Sequence, residues 1–250
     1  MIGEPPLRRT LPRLLFAFAG MALWFVLRWA LSWGEGLISD ASASALSMVP
    51  TALLTILLVP RAENRWSASG FKWAPIAVGA ALWIPLAQLL RGGAVPSFEQ
   101  GWAVALSALL LYAVHEELAF RLFLADALSM GGRFALGTLL STVLFTVVHM
   151  NNPFSNPLGM VNIFLAGLGL CLLRASGGGM AGAVAAHFLW NAGIGVAMGF
   201  GVSGYRFPAV FRPAFETGSF GPESSPFLTA VLLLMVVPGA LKLFGRRRDG

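Results

Sequence analysis

Residues 102–129 read WAVALSALLLYAVHEELAFRLFLADALS, an apolar stretch with a group of charged residues near its middle. The stretch exceeds the roughly 20 residues that an α-helix needs to cross a bilayer. Charged side chains inside such a helix are costly, and they persist where they are paired or functional. The sequence therefore predicts a membrane helix here, and the segment HEELAFR at 115–121 needs a specific explanation.

The composition of the whole chain points to the same environment. Of its 250 residues, 57% are hydrophobic and only 11% are charged, whereas soluble domains carry about a quarter charged residues. The net charge is +6, but no basic stripe is interleaved with aromatics, so no nucleic-acid partner is predicted. Cys171 is the single cysteine, which excludes a disulfide within the chain. Lipid must therefore be the solvent for much of this protein.

Apolar segments recur along the chain without the two-residue alternation of barrel strands, and only helices or closed barrels satisfy their backbone inside lipid. We expect an all-α, polytopic helix bundle forming one membrane domain over 1–250, with about eight transmembrane helices. The segments are 14–33, 45–60, 74–90, 102–129, 134–150, 159–174, 179–201 and 226–244.

The charges between these segments predict the orientation, because basic residues concentrate on the cytoplasmic side of a membrane. With eight spans, most basic loop residues and both basic tails fall on one side. We therefore expect both termini in the cytoplasm, in a bacterial-type cytoplasmic membrane. The residues on that side are Arg8, Arg9, Arg13, Arg61, Arg65, Lys72, Arg133, Arg174, Lys242, Arg246, Arg247 and Arg248.

Helical geometry gives the charged residues of 102–129 different roles. Glu117 and Arg121 are four residues apart, so they share a helix face and can form an ion pair. Glu116 is turned about 100° away from Glu117, which leaves it as a candidate general base. His115 has no partner at helical spacing, and we interpret it as a packing residue.

Two further helices carry polar side chains at helical spacing. His149 follows Phe145 by four residues at the end of one segment, and His187 precedes Asn191 by four in another. Such groups normally face the interior of a membrane bundle and one another. Counting residues does not place all of them at one depth, so tilt or an irregular segment 102–129 would have to bring them together. The residues alone leave an enzyme and a transporter both open.

The ordered set Glu116-Glu117-x-x-x-Arg121, Phe145-x-x-x-His149 and His187-x-x-x-Asn191 resembles the three motifs of the CAAX protease and bacteriocin-processing (Abi) family. The resemblance covers about 112–195, and residues 218–225 also look like a segment that follows the third motif in many bacterial members. One departure is Leu122, where many members have glycine. Any one motif is weak, but three in order are specific.

The resemblance implies an intramembrane endopeptidase that acts on a peptide or membrane-protein substrate within the lipid bilayer. Glu116 and His149 would activate a water for attack on the scissile carbonyl, and His187 and Asn191 would donate hydrogen bonds to the oxyanion. Glu117 and Arg121 would hold the first motif in register. The remaining motif residue, Phe145, would support the site.

The resemblance favours hydrolysis without a metal cofactor. Zinc is the alternative, because Glu116, His149 and His187 together form a His₂Glu set of the kind that binds catalytic zinc. The compact His-Glu-x-x-His helix motif is absent, since position 119 is alanine.

Two other functions compete with the peptidase. A proton-coupled transporter could use the same side chains as a relay, although no repeated halves of the kind seen in many transporters are visible. A non-catalytic immunity or regulatory membrane protein could retain the scaffold. Nothing in the sequence identifies the substrate or shows whether it is prenylated.

Overall fold

The computed structural model describes residues 93–128, 134–175, 179–214 and 220–245, and this part of the chain is predominantly helical. The predicted segments 14–33, 45–60 and 74–90 and both termini lie outside the described residues. Two short strands, six α-helices, two π-helical segments and one 3₁₀ turn are present in the described part. In chain order they are β1 (Ala94–Pro96), α1 (Trp102–Glu116), the first π segment (Glu117–Leu124), α2 (Ala125–Leu128), α3 (Phe134–His149), α4 (Pro157–Leu173), α5 (Gly179–Asn191), the second π segment (Ala192–Ala197), β2 (Phe211–Pro213), the 3₁₀ turn (Gly221–Ser224) and α6 (Pro226–Gly245).

The helices match the predicted apolar segments from residue 102 onward within a few residues at each end. α4 shows why such ends are readable in the sequence. Asn156 precedes the helix, and its side-chain oxygen accepts a hydrogen bond from the Gly159 backbone N–H at 2.9 Å. Pro157 occupies the first turn, where a missing N–H costs nothing.

Helix α3 is polar on its buried face and apolar on its exposed face. The buried side includes Thr138, Ser141, Thr142 and His149. The exposed side consists of large aliphatic residues. They are Leu136, Leu139, Leu140, Val143, Leu144 and Val147. A surface helix of a soluble protein has the opposite arrangement. The pattern is that of an integral membrane protein, in which lipid surrounds the helix and polar groups turn inward.

Length and composition give the same indication. Among the described residues, Trp102–Leu122 and Gly179–Ala197 are long and apolar enough to cross a membrane. Three shorter apolar helices accompany them, at Phe134–His149, Pro157–Leu173 and Pro226–Leu241.

The helix that carries the charged group changes its winding there. α-Helical geometry ends at Glu116, and the first π segment begins at Glu117. π-Helical winding leaves the usual i→i+4 bonding pattern, so backbone carbonyls become available to side chains. Ser141 Oγ donates to the Phe120 carbonyl at 2.5 Å, and Arg174 donates through Nη1 to the Arg121 carbonyl. Side chains from α3 and from the end of α4 therefore hold the irregular turn.

A two-stranded antiparallel sheet departs from the all-α expectation. β1 pairs with β2 in the register Ala94–Pro213 to Pro96–Phe211. Beside it, the Arg212 guanidinium donates to both carboxylate oxygens of Glu99. The sheet joins the chain just before α1 to the loop after the second π segment. The pairing of β1 with β2 was not predicted, because strands of three residues show almost no periodicity in the sequence.

Two apolar clusters connect the helices around the motif residues. One, which includes Leu109, Ile194 and Phe200, packs α1 against the second π segment and the loop that follows it. The other includes Phe120 and Phe145 and joins the first π segment to α3, with Ile163 of α4 and Phe220 also in it. These clusters hold the three motif-bearing stretches side by side.

Candidate active site

Glu117 lies at the centre of the polar cluster and is fully buried. Its Oε1 atom accepts a hydrogen bond from His187 Nδ1 at 2.9 Å. The same oxygen lies 3.3 Å from Arg121 Nη1, one helical turn further along. A single carboxylate oxygen therefore joins the first motif to the third, across two helices.

His187 contacts both glutamates of the first motif. Its Nδ1 meets Glu117, and its Nε2 lies 3.6 Å from Glu116 Oε2. Because Nδ1 donates to a buried carboxylate, the orientation of the ring is fixed and Nε2 is the nitrogen directed towards Glu116. Helical geometry predicted different roles for the two glutamates, and the structure adds that one imidazole contacts both.

Glu116 is the more accessible of the two carboxylates. Its side chain is 19% exposed, compared with 0% for Glu117. The gap of 3.6 Å to His187 is longer than a direct hydrogen bond. A contact of that length between two polar groups can hold a bridging water.

Arg121 is buried against an aromatic ring. Its guanidinium carbon lies 4.0 Å from the centroid of Phe145 and 6.0 Å from that of Phe120. Among the described residues, its guanidinium nitrogens have no hydrogen bond that meets standard geometry. The Glu117 carboxylate and the Phe145 face are therefore its main compensation for leaving water.

His149 stands on the other side of Phe145. Its Nδ1 donates to the Phe145 carbonyl at 2.7 Å, which leaves Nε2 as the nitrogen available for chemistry. Its ring centroid lies 4.5 Å from that of Phe145, and the His187 centroid lies 6.2 Å from the same ring. Phe145 thus lies beside both histidines, and no ion pair between His149 and Glu116 occurs in the described residues.

Asn191 ends α5 one turn beyond His187, and its side chain is buried. The second π segment begins directly after it. π-Helical turns are found frequently at functional sites. Here one begins at the second glutamate of the first motif, and another follows the third motif. No hydrogen bond of the Asn191 side chain occurs within the described residues, so its amide groups are available to a ligand.

Two residues at the site were not singled out from the sequence. Arg174, interpreted there only as a topology marker, donates to the Arg121 carbonyl. Glu223, which lies within the segment 218–225, is buried and accepts hydrogen bonds from Trp190 Nε1 at 3.1 Å and Ser203 Oγ at 3.0 Å. Burial raises the pKa of the Glu223 carboxyl, against the effect of these donors and of His149 nearby. Neither position shows a helical spacing that could have revealed it.

The described residues contain no group of three or more His, Cys, Asp and Glu side chains placed to hold a metal ion. Glu116 and His187 approach each other, but His149 does not join them as a third ligand. The His₂Glu zinc set that the sequence left as an alternative stays a prediction, which metal analysis of the purified protein can test.

Comparison with known protein families identifies the class. Residues 98–193 match the family described as Type II CAAX prenyl endopeptidase Rce1-like. The match spans α1 to the second π segment and contains all three motifs, which confirms the resemblance found in the sequence. This part of the chain is therefore similar to a family of CAAX-type endopeptidases, which are proteases. Neither the curated proteins nor the solved structures include a match to the chain.

Proposed function

We propose that the protein is an intramembrane endopeptidase that hydrolyses a peptide bond with a water activated by Glu116 and His149. His187 and Asn191 donate hydrogen bonds to the oxyanion, and no metal cofactor takes part. The substrate is a peptide or membrane-protein segment that reaches the bundle from the lipid or from the membrane surface.

The observation that carries this proposal is the position of His187 between two carboxylates. Glu117 accepts from Nδ1, so it orients the ring and fixes which nitrogen carries the proton, as the carboxylate of a serine-protease triad does for its histidine. Nε2 can then donate into the space beside Glu116. A base and a hydrogen-bond donor therefore face one small region, which is what attack of water on a carbonyl requires.

The burial pattern supports the division of roles. Glu117 and Arg121 are sealed from solvent, so they can organise the site without contacting substrate. Glu116 is partly exposed and flanked by His187. The accessible carboxylate is therefore the one suited to take a proton from water.

The test of this proposal compares cells that produce the normal protein with cells that produce Glu116→Gln at equal levels in the membrane. We expect peptides that depend on the normal protein to disappear in Glu116→Gln and in His149→Ala. Removing a general base typically costs a factor of about 10² to 10⁴ in rate. Mass spectrometry of membrane and secreted peptides provides the readout.

Glu99→Gln is the matched control, because it changes a carboxylate outside the cluster by the same chemistry. It should leave the peptide pattern unchanged. Full cleavage by Glu116→Gln would refute the assigned base. Adding a synthetic peptide with a prenylated C-terminal cysteine to purified protein tests the substrate class that the family description suggests.

Metal independence has its own test. Purified protein treated with a chelator should keep its cleavage rate and contain less than stoichiometric zinc. Activity that is lost with the chelator and restored by zinc would establish the alternative.

A further inference from the structure

Glu223 is a buried carboxylate outside the three motifs, and its side chain accepts three hydrogen bonds. Its side chain lies in the 3₁₀ turn and is 7% exposed. Oε1 accepts from the indole N–H of Trp190, while Oε2 accepts from the backbone N–H and the hydroxyl of Ser203. Each oxygen therefore receives an N–H donor, an arrangement that suits the ionised carboxylate.

The Ser203 contact holds a strained turn. Val202 and Tyr205 bond to each other through both backbone groups, and the two residues between them have positive φ, 47° at Ser203 and 87° at Gly204. Both central residues at positive φ define a type I′ turn, which favours asparagine, aspartate or glycine. Serine is disfavoured in that conformation, so the two bonds to Glu223 are what stabilise it.

The same turn packs against the chain that follows His149. A side chain at Gly204 would collide with the backbone carbonyl of Pro153, which lies four residues after His149. On its other side, Glu223 accepts a hydrogen bond from the indole of Trp190, which is the residue directly before Asn191. Glu223 thus connects the surroundings of a second-motif residue with those of a third-motif residue.

The backbone of the 3₁₀ turn is fixed as well. Asn162 on α4 donates to the Glu223 carbonyl at 2.7 Å and to the Ser225 carbonyl at 3.1 Å. Asn156 donates to Ser224 Oγ at 2.8 Å. The carboxylate is therefore carried on a rigid support, and its position is set independently of the side chains that it contacts.

We infer that Glu223 is a positioning residue of the candidate active site. It fixes Trp190 next to Asn191 and holds the turn at 202–205 against the chain that follows His149. This inference rests on the proposed function. Asn191 and His149 are the groups proposed to act on the reacting carbonyl and water, so a loss of their orientation affects the transition state more than substrate binding.

The first test is the kinetic effect of Glu223→Gln in purified protein. We expect kcat to fall about tenfold or more while KM stays within about twofold, since the lost interaction acts on the transition state. Glu99→Gln, a carboxylate-to-amide change in the sheet region, should leave both constants unchanged.

Glutamine cannot accept from both Trp190 and Ser203, so Glu223→Gln also removes a structural hydrogen bond. This effect on stability has to be separated from positioning. Trp190→Phe removes one of the two donor residues, so the side-chain amide in Glu223→Gln can then turn its oxygen to Ser203. Because Glu223 acts through Trp190, we expect Trp190→Phe alone to lower kcat. In that background Glu223→Gln should lower kcat by a smaller factor than in the normal background. If Glu223→Gln and Trp190→Phe lower thermal stability but leave kcat at the normal value, Glu223 is only a structural residue. An equal fall of kcat in both backgrounds would also overturn the inference.

A second readout does not depend on turnover. The chain has three histidines, so the imidazole ¹⁵N signals of labelled protein in micelles can be assigned with one substitution each. Glu223→Gln should displace the signals of His149 and leave those of His115 in place. Unchanged His149 signals would overturn the inference. If Glu116→Gln cleaves fully while His149 responds to Glu223→Gln, the proposed function fails and the positioning contact stands.

Discussion

Glu117→Gln tests whether the buried charge cluster is an ion pair on which the fold depends. The substitution keeps the shape of the side chain and an oxygen that can accept from His187 Nδ1, so it removes the charge and little else. Arg121 then stays buried without a counter-charge. Its contact with the Phe145 face, at 4.0 Å, is already present in the normal protein and cannot increase to compensate.

The expected cost follows from this environment. Both side chains of the pair are at most 1% exposed, and removing one partner of a buried ion pair costs about 3–5 kcal/mol. We therefore expect Glu117→Gln to lower the free energy of unfolding by about that amount. Replacing both partners, as in Glu117→Gln with Arg121→Met, should recover most of it, because a buried pair replaced by neutral groups is often no less stable.

Unfolding in mixed detergent micelles, followed by circular dichroism, measures both variants and the single Arg121→Met. The double-mutant cycle then isolates the coupling between the two residues. A loss below about 1 kcal/mol in Glu117→Gln, as for a surface pair, would refute the reasoning. So would a double variant as unstable as the sum of the single ones.

Three other predictions concern the support of the site and the membrane orientation. Arg174→Gln should lower the free energy of unfolding by about 1–3 kcal/mol in the same assay, because the Arg121 carbonyl in the first π segment loses a charged donor. Arg174→Lys should recover part of this loss. Equal stability of the normal protein and both variants would contradict the role of Arg174 in supporting the π segment. The Arg212 hydrogen bond holds the pKa of Glu99 below its usual range, so the small stabilisation that Glu99→Gln removes should be present at neutral pH and disappear as the pH falls through the folded-state pKa; a difference that persists in acid would show another origin. Cysteines placed at positions 8 and 246 in a Cys171→Ala background should resist a membrane-impermeant maleimide added outside intact cells, and labelling from outside would place that terminus on the opposite side.

Much of the helical framework could be predicted from the sequence, because lipid imposes a simple rule on apolar runs. The segments predicted at 134–150 and 226–244 correspond to Phe134–His149 and Pro226–Gly245. The lipid-facing residues of α3 are apolar throughout, so its ends are marked by the change to polar residues. Spacing alone also placed Glu117 and Arg121 on one helix face, where they lie 3.3 Å apart.

Other features depend on contacts between residues distant in the chain, which local spacing does not encode. β1 and β2 pair across more than a hundred residues, and each is too short to show alternation. Glu223 resembles an ordinary loop acid, since its burial is decided by Trp190 and Ser203. The winding of the first π segment is stabilised by Ser141 and Arg174 from other helices. The sequence of the segment itself does not indicate these partners.

His187 contacts both glutamates of the first motif, although helical geometry points their side chains in different directions. Adjacent residues on a helix diverge by about 100°, which predicts different roles for Glu116 and Glu117. An imidazole, however, has nitrogens on two edges of its ring, so diverging carboxylates can approach it from two sides. Glu117 reaches Nδ1 at 2.9 Å and Glu116 approaches Nε2 at 3.6 Å. The divergence that separated the two carboxylates in the sequence is therefore what allows one histidine to be fixed by the first and to work beside the second.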